Sequence, residues 1–333
     1  MVSPFHPGLL DYLHRVYGEH RALGLEALAR AGGLAPRTVY RWHELLGEGL
    51  SYHPNIAYRA LGLTHLHLFL TEPSPNAFAC PYAIERAWTI AAPGKRVLYL
   101  HCVVPIEHAQ RIANQYRGAS VINSNDGWQH VADLATVLDA TGRIIRGEEP
   151  QLPSWRAETV HRDLLASYPL IVPVLFELVH RWPSSQLLWQ LIYQRLGEQV
   201  WQYLPRKVRR WRHNGKQYVQ AVFRLLNRHA LPQHHRIRFA PLQQHAIEIL
   251  LDVRDEDALR SIARRCPLAE AYPSTKGYLV RATGDITLVR HLITTPDLRR
   301  WWFIDDEQTK AAPKVRFAYE TLFDPSTASW QVA

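Results

Sequence analysis

The sequence predicts an α+β chain built twice over, each copy a small helical head followed by a β-α-β-β-α-β domain. Two observations carry this. Blocks of helical spacing give way to blocks of strict alternation, and the second half of the chain repeats the pattern of the first in register. A third is length: 333 residues exceed one ordinary domain and suit several small ones.

The first head spans residues 5–58. Leu9, Leu10, Leu13 and Val16 form the apolar side of a first helix. Leu25, Leu28 and Ala29 do the same for a second, which Gly32-Gly33 stops because glycine takes the left-handed conformation at helix ends. Pro36 suits the first turn of a third helix, where its missing N–H costs nothing. There Val39, His43 and Leu46 share one face, leaving Arg37, Thr38, Tyr40 and Arg41 outward, with Trp42 undecided between core and groove. A buried helix, a glycine turn and a helix opening on basic and hydroxyl side chains is how a helix-turn-helix addresses the major groove. A generic helical hairpin is the plain alternative. The β-prone stretch from Leu50 to Tyr58 reads as a wing or exit strand.

Residues 60–130 alternate instead. His65 to Leu70 is a strand, residues 75–87 read as a helix with a short strand over Trp88 to Ala91, and Lys95 to Val103 is a clearer strand. Pro105 to Tyr116 is helical and Ser120 to Asn123 closes the unit. That order is the split βαβ arrangement of a ferredoxin-like domain.

Residues 131–167 are charged and proline-bearing and read as a connector with short helical pieces. Residues 168–240 then form a second, divergent winged head, and 242–333 a second ferredoxin-like domain. Shifting the numbering by 181 lays His53–Asp126 over His234–Glu307 without a gap. Leu66, Leu68 and Leu70 then match Ile247, Ile249 and Leu251, and the turn at Pro93-Gly94-Lys95 matches Ser274-Thr275-Lys276. The second head is strongly basic: Arg206, Lys207, Arg209, Arg210 and Arg212 precede a helix that starts near Lys216. Such density neutralises phosphates and makes affinity fall with salt; a solvated helix face with tryptophans in the core is the alternative.

The formal charge of +9 and a pI near 9.6 favour polyanion partners, nucleic acid first and anionic membrane second. Cys80, Cys102 and Cys266 show neither metal spacing nor a disulfide framework, which points to a reducing interior. The N-terminus lacks a signal-peptide pattern and no apolar run approaches membrane-spanning length. A cytoplasmic location is expected.

The residues Leu28-Ala29, Gly33, Pro36, Thr38-Val39, Arg41, Gly49 and Ala60-Leu61-Gly62-Leu63 resemble the Lrp/AsnC (feast/famine) transcriptional regulators. The resemblance covers roughly residues 8–125 and is fainter in the second copy. It implies a helix-turn-helix head joined to a ligand-sensing α+β domain, double-stranded DNA as partner, a small-molecule effector, and association through the α+β domains. Here one chain holds two copies, as in a fused pseudo-dimer. Ala35 stands where that family's serine caps the reading helix, and the glycine-and-aspartate signature of amino-acid effectors is absent, so amino-acid sensing is not carried over.

Arg37, Thr38, Tyr40 and Arg41 are therefore the expected DNA contacts, with Trp42 and the basic run of the second head beside them. His65 and His67 share a strand face, and His101 on the neighbouring strand points the same way. Three such imidazoles suit a metal, a tetrapyrrole or another ligand. Glu248 stands at the matching place in the second copy and is expected to meet His67 across a seam; polar residues on a partly exposed sheet are the alternative. No metal site, cofactor or catalytic residue is assigned. A second functional class stays open: the siroheme decarboxylases resemble the same regulators in fold, and under that resemblance a tetrapyrrole would be bound. The histidine- and tyrosine-bearing runs expected around their second and third strands are not evident; Trp88-Thr89-Ile90 and Val97-Leu98-Tyr99-Leu100 stand there. A non-enzymatic scaffold with degenerate heads is the blandest option.

Overall fold

The computed structural model describes residues 7–19, 25–46, 50–139, 143–152, 162–178, 185–204, 215–228, 232–239, 246–294, 298–311 and 314–333. It combines helices with antiparallel sheet. Helices α1 (Pro7–Glu19), α2 (Leu25–Ala31) and α3 (Pro36–Leu46) come first. Gly33, at φ 66°, closes α2: the N–H groups of Gly33 and Leu34 donate to the carbonyls of Arg30 and Ala29. A side chain there would be strained. Strand β1 (Leu50–Ile56) follows, then β2 (Leu63–Leu70), the short α4 (Pro75–Phe78), β3 (Ala83–Ala91), β4 (Lys95–Pro105), α5 (Ala109–Gln115) and β5 (Ser120–Ser124).

The helix expected over residues 75–87 is corrected. It stops after one turn at Phe78, and β3 begins at Ala83. Pro81 denies the helix a donor, and the segment is drawn into a ladder with β4 on one side and a strand over 200 residues away on the other.

Beyond β5 lie β6 (Trp128–Val131), which ends where the stretch read as a connector begins, and α6 (Leu134–Val137), inside that stretch. Neither is a loose link. Val131, Leu134, Val137 and Leu138 share one buried cluster with Leu9, Leu13, Ala29 and Val39 of the head. After α7 (Arg162–Ser167) comes α8 (Ile171–Leu178), every residue of which is buried. Buried Glu177 on α8 accepts from Tyr319 Oη (2.9 Å) and pairs with Arg195 and Arg316. Helices α9 (Ser185–Leu196) and α10 (Gly215–Arg228) complete this region, followed by β7 (Pro232–Phe239).

The two wing candidates pair with each other. β1 and β7 run antiparallel from Leu50 against Phe239 to Ile56 against Pro232, so one ribbon joins the segment after α3 to the segment after α10.

The second α+β unit is β8 (Ile247–Val253), α11 (Glu256–Ala263), β9 (Leu268–Ser274), β10 (Gly277–Gly284), α12 (Ile286–Thr294) and β11 (Leu298–Asp305). Both units order their strands alike, β5-β2-β4-β3 and β11-β8-β10-β9, which is the split βαβ order. The sheets then join at both edges. β11 pairs with β3, and β9 meets β5 at Ser124 and Ser274 and continues along β6. Eight strands close into a ring, helices outside.

Alternation divides each strand between the outer cores and the ring interior. On β2, Leu66, Leu68 and Leu70 join the core that holds Ile112 of α5, and Phe69 joins the interior cluster with Tyr99, Leu250, Tyr272, Leu279 and Trp302. Phe69 and Trp302 stack across the seam at 3.9 Å between ring centroids. Residues 314–333, expected within the second α+β unit, pack instead with α8 and the first copy: Phe317 stacks on Phe176 at 3.9 Å, and the Trp330 indole donates to the Leu61 carbonyl at 2.7 Å. Cys80 and Cys102, far apart in sequence, bring their Sγ atoms to 3.6 Å as free thiols.

Candidate functional site

Two regions carry the residues singled out from sequence. The first is α3. Val39 is fully buried and Trp42, half-buried, lies against Tyr12 with ring centroids 5.5 Å apart. Arg37, Tyr40 and Arg41 stand exposed, and Thr38 is half-buried at the flank. Positions 37, 40 and 41 fall on one face because three and four residues make one helical turn. Of the basic run in the second head, Arg206, Lys207, Arg209, Arg210 and Arg212 lie outside the described residues, and so does the Lys216 side chain on α10.

The second region is the ring interior. His65, His67 and His101 do come together, but not on a partly exposed sheet: their exposures are 0%, 0% and 1%. His65 Nε2 lies 3.0 Å from Asp126 Oδ1, whose carboxylate also accepts from the backbone N–H of Tyr58 and Arg59. His65 Nδ1 lies 2.8 Å from His101 Nε2. In the His65–His101 contact one ring nitrogen donates and the other accepts. His67 is held by Tyr99 Oη at Nδ1 and Ser124 Oγ at Nε2, each 3.0 Å away. The Tyr272 ring, from the second copy, packs 5.0–5.3 Å from all three imidazoles.

Glu248 reaches this cluster through other side chains. It pairs with Arg281, whose Nη1 donates to Glu85 Oε1 at 2.6 Å, and Glu85 Oε2 stands 4.0 Å from His101 Nδ1. The link from His67 to Glu248 therefore runs through His101, Glu85 and Arg281; His67 and His101 stack at 4.4 Å. Burial opposes the charge on Arg281, and Glu248 and Glu85 beside it outweigh burial and hold its pKa well above the ordinary arginine value. Chemically this is a sealed chain of proton-carrying groups bridging two sheets. Among the described residues no group of histidine, cysteine and carboxylate side chains has the arrangement of a metal site.

Sequence reasoning missed Asp126, Glu85, Tyr99, Tyr272 and Arg281. Glu85 was hidden by the helical reading of its segment, which scrambles the faces. Tyr99 alternates with His101 and was legible; Arg281 and Tyr272 become relevant only once the sheets meet.

Two solved structures resemble the chain: the siroheme decarboxylase NirDL, at TM-score 0.41 and 14% identity, and the same enzyme in co-complex with an iron-uroporphyrin III analogue, at TM-score 0.40 and 12% identity. Each match covers 89% of this chain and 90% of that chain. No family model and no curated protein matches the chain.

Proposed function

We propose that the chain is a DNA-binding transcription regulator of the Lrp/AsnC kind, a pseudo-dimer in one polypeptide, with α3 as a reading helix. The observation that supports it is the one-sidedness of α3: Val39 is sealed in the head while Arg37, Tyr40 and Arg41 share its free face. Arginine on such a face reads guanine bidentately and clamps phosphates. The test is anisotropy of a labelled mixed-sequence duplex across a salt series, with Arg37→Ala and Arg41→Ala. Binding weakens with salt, and each phosphate contact removed lowers the log–log slope by about 0.9. On a selected operator, loss of a base contact costs about 1–3 kcal/mol. Duplex binding that ignores both substitutions, or no salt-sensitive binding at all, refutes the reading.

A second reading, an enzyme acting on a tetrapyrrole, rests on the gathering of His65, His67 and His101 with Tyr99 and Tyr272 on one inter-sheet face. Their burial means that a ligand enters only if the sheets part. A Soret shift on mixing with siroheme, lost in His67→Ala, supports this reading; an unchanged spectrum removes it.

A further inference from the structure

On one side of the ring β9 is met in turn by β5 and, further along, by β6. β5 and β9 share a single pairing, Ser124 with Ser274, and a cleft of about 590 Å3 lies beside that contact. Both copies line it. Arg117 comes from the turn after α5; Lys276 comes from the β9–β10 turn, and Arg299 and Arg300 from β11. The lining holds one carboxylate, Asp252.

The cations are of two sorts. Arg300 is fixed, with Nε and Nη2 donating to Asp252 Oδ2 at 3.2 and 2.8 Å, Nη1 donating to Ser120 Oγ, and its guanidinium over Trp302. Arg299 stands 3.7 Å from the other oxygen of Asp252. Arg117 and Lys276 are exposed and have no carboxylate partner among the described residues. Four cations thus face one anion in a concave space, where low-dielectric walls focus the field and favour anions. The volume is that of a site for a small molecule.

We propose that this cleft binds a small polyanion bearing two or more carboxylate or phosphate groups, which spans the two copies. Arg117 and Lys276, one from each copy, take the anionic groups, while Arg299 and Arg300, which share a single carboxylate, add positive field. The site does not depend on the DNA reading. A ligand that bridges the two copies here binds the closed form of the ring and stabilises it by mass action.

The test is isothermal titration of the full chain with two probes, pyrophosphate for phosphate ligands and tricarballylate for carboxylate ligands, against sodium chloride of matched ionic strength. Saturable binding of either probe at one per chain is expected, with a rise in melting temperature beyond the salt control. Arg117→Glu and Lys276→Glu, both at exposed positions, weaken that binding by about tenfold or more. Circular dichroism matching the parent shows that the variants fold, and Arg111→Glu, outside the cleft, serves as a charge control that leaves binding intact. Absence of binding up to about 10 mM for both probes overturns the proposal. So does equal loss in the control variant, or displacement of the probe by a mixed-sequence duplex, which would assign the cleft to a nucleic-acid backbone.

Discussion

Arg281 is the side chain on which the junction of the two sheets most depends. It is 6% exposed, and it joins Glu85 of the first copy to Glu248 of the second, with Glu270 opposite it on β9. Arg281→Met keeps most of the volume and the unbranched stem but removes the charge, so the effect is electrostatic rather than a cavity. Two half-buried carboxylates lose their buried counter-charge, and breaking such a set costs up to about 3–5 kcal/mol. At roughly 2–4 °C per kcal/mol for chains somewhat shorter than this one, a loss of that size lowers the melting temperature by about 6 °C or more. The assay is thermal and urea unfolding at pH 7, comparing the parent, Arg281→Met, and a triple variant that adds Glu85→Gln and Glu248→Gln. Neutralising the carboxylates removes the stranded charges, so the triple variant recovers most of the loss. A single variant within about 0.5 kcal/mol of the parent, or a triple variant no more stable than the single, would refute the cross-seam assignment.

Two further outcomes follow from buried groups. Burial, helped by the nearby His14 charge, lowers His130 from 6.5 to about 4. The unfolded chain then takes the proton first, so this contribution to stability is complete above pH 6.5 and is lost as pH falls toward 4, by about 3 kcal/mol in all. His130→Gln flattens the urea midpoint against pH across that window, and an unchanged profile would disprove the sealed environment. Gly127→Ala places a Cβ 2.6 Å from Tyr272 Cε1, a ring held among His65, His67 and His101. The ring must shift, at about 1–3 kcal/mol. Gly127→Ala/Tyr272→Leu relieves the clash; a melting temperature indifferent to the single change would show the ring to be loosely held.

What could be read directly from the amino acids was periodic or local. Alternation along His65–Leu70 and Lys95–Val103 assigns β2 and β4 and puts His65, His67 and His101 on one face, because successive side chains on a strand point oppositely. The glycine turn at Gly33 and the exposed face of Arg37, Tyr40 and Arg41 are equally local, being set by one helical turn and one left-handed residue. The duplication is visible because each copy must solve the same packing problem. Where pairing is remote, local pattern misleads: residues 79–87 are strand and loop rather than helix because β4 and β11 recruit β3.

The folded chain alone decided how the copies meet. Local pattern is silent on which sheet edge finds which, since an edge strand offers the same row of amide and carbonyl groups to any partner. Closing the ring buried the histidines that looked half-exposed, put Arg281 and Glu85 within 2.6 Å though 196 residues separate them, and gathered Arg117 with Lys276 around one cleft. Burial and electrostatic environment depend on every neighbour at once, whereas strand and helix phase depend on the next few residues.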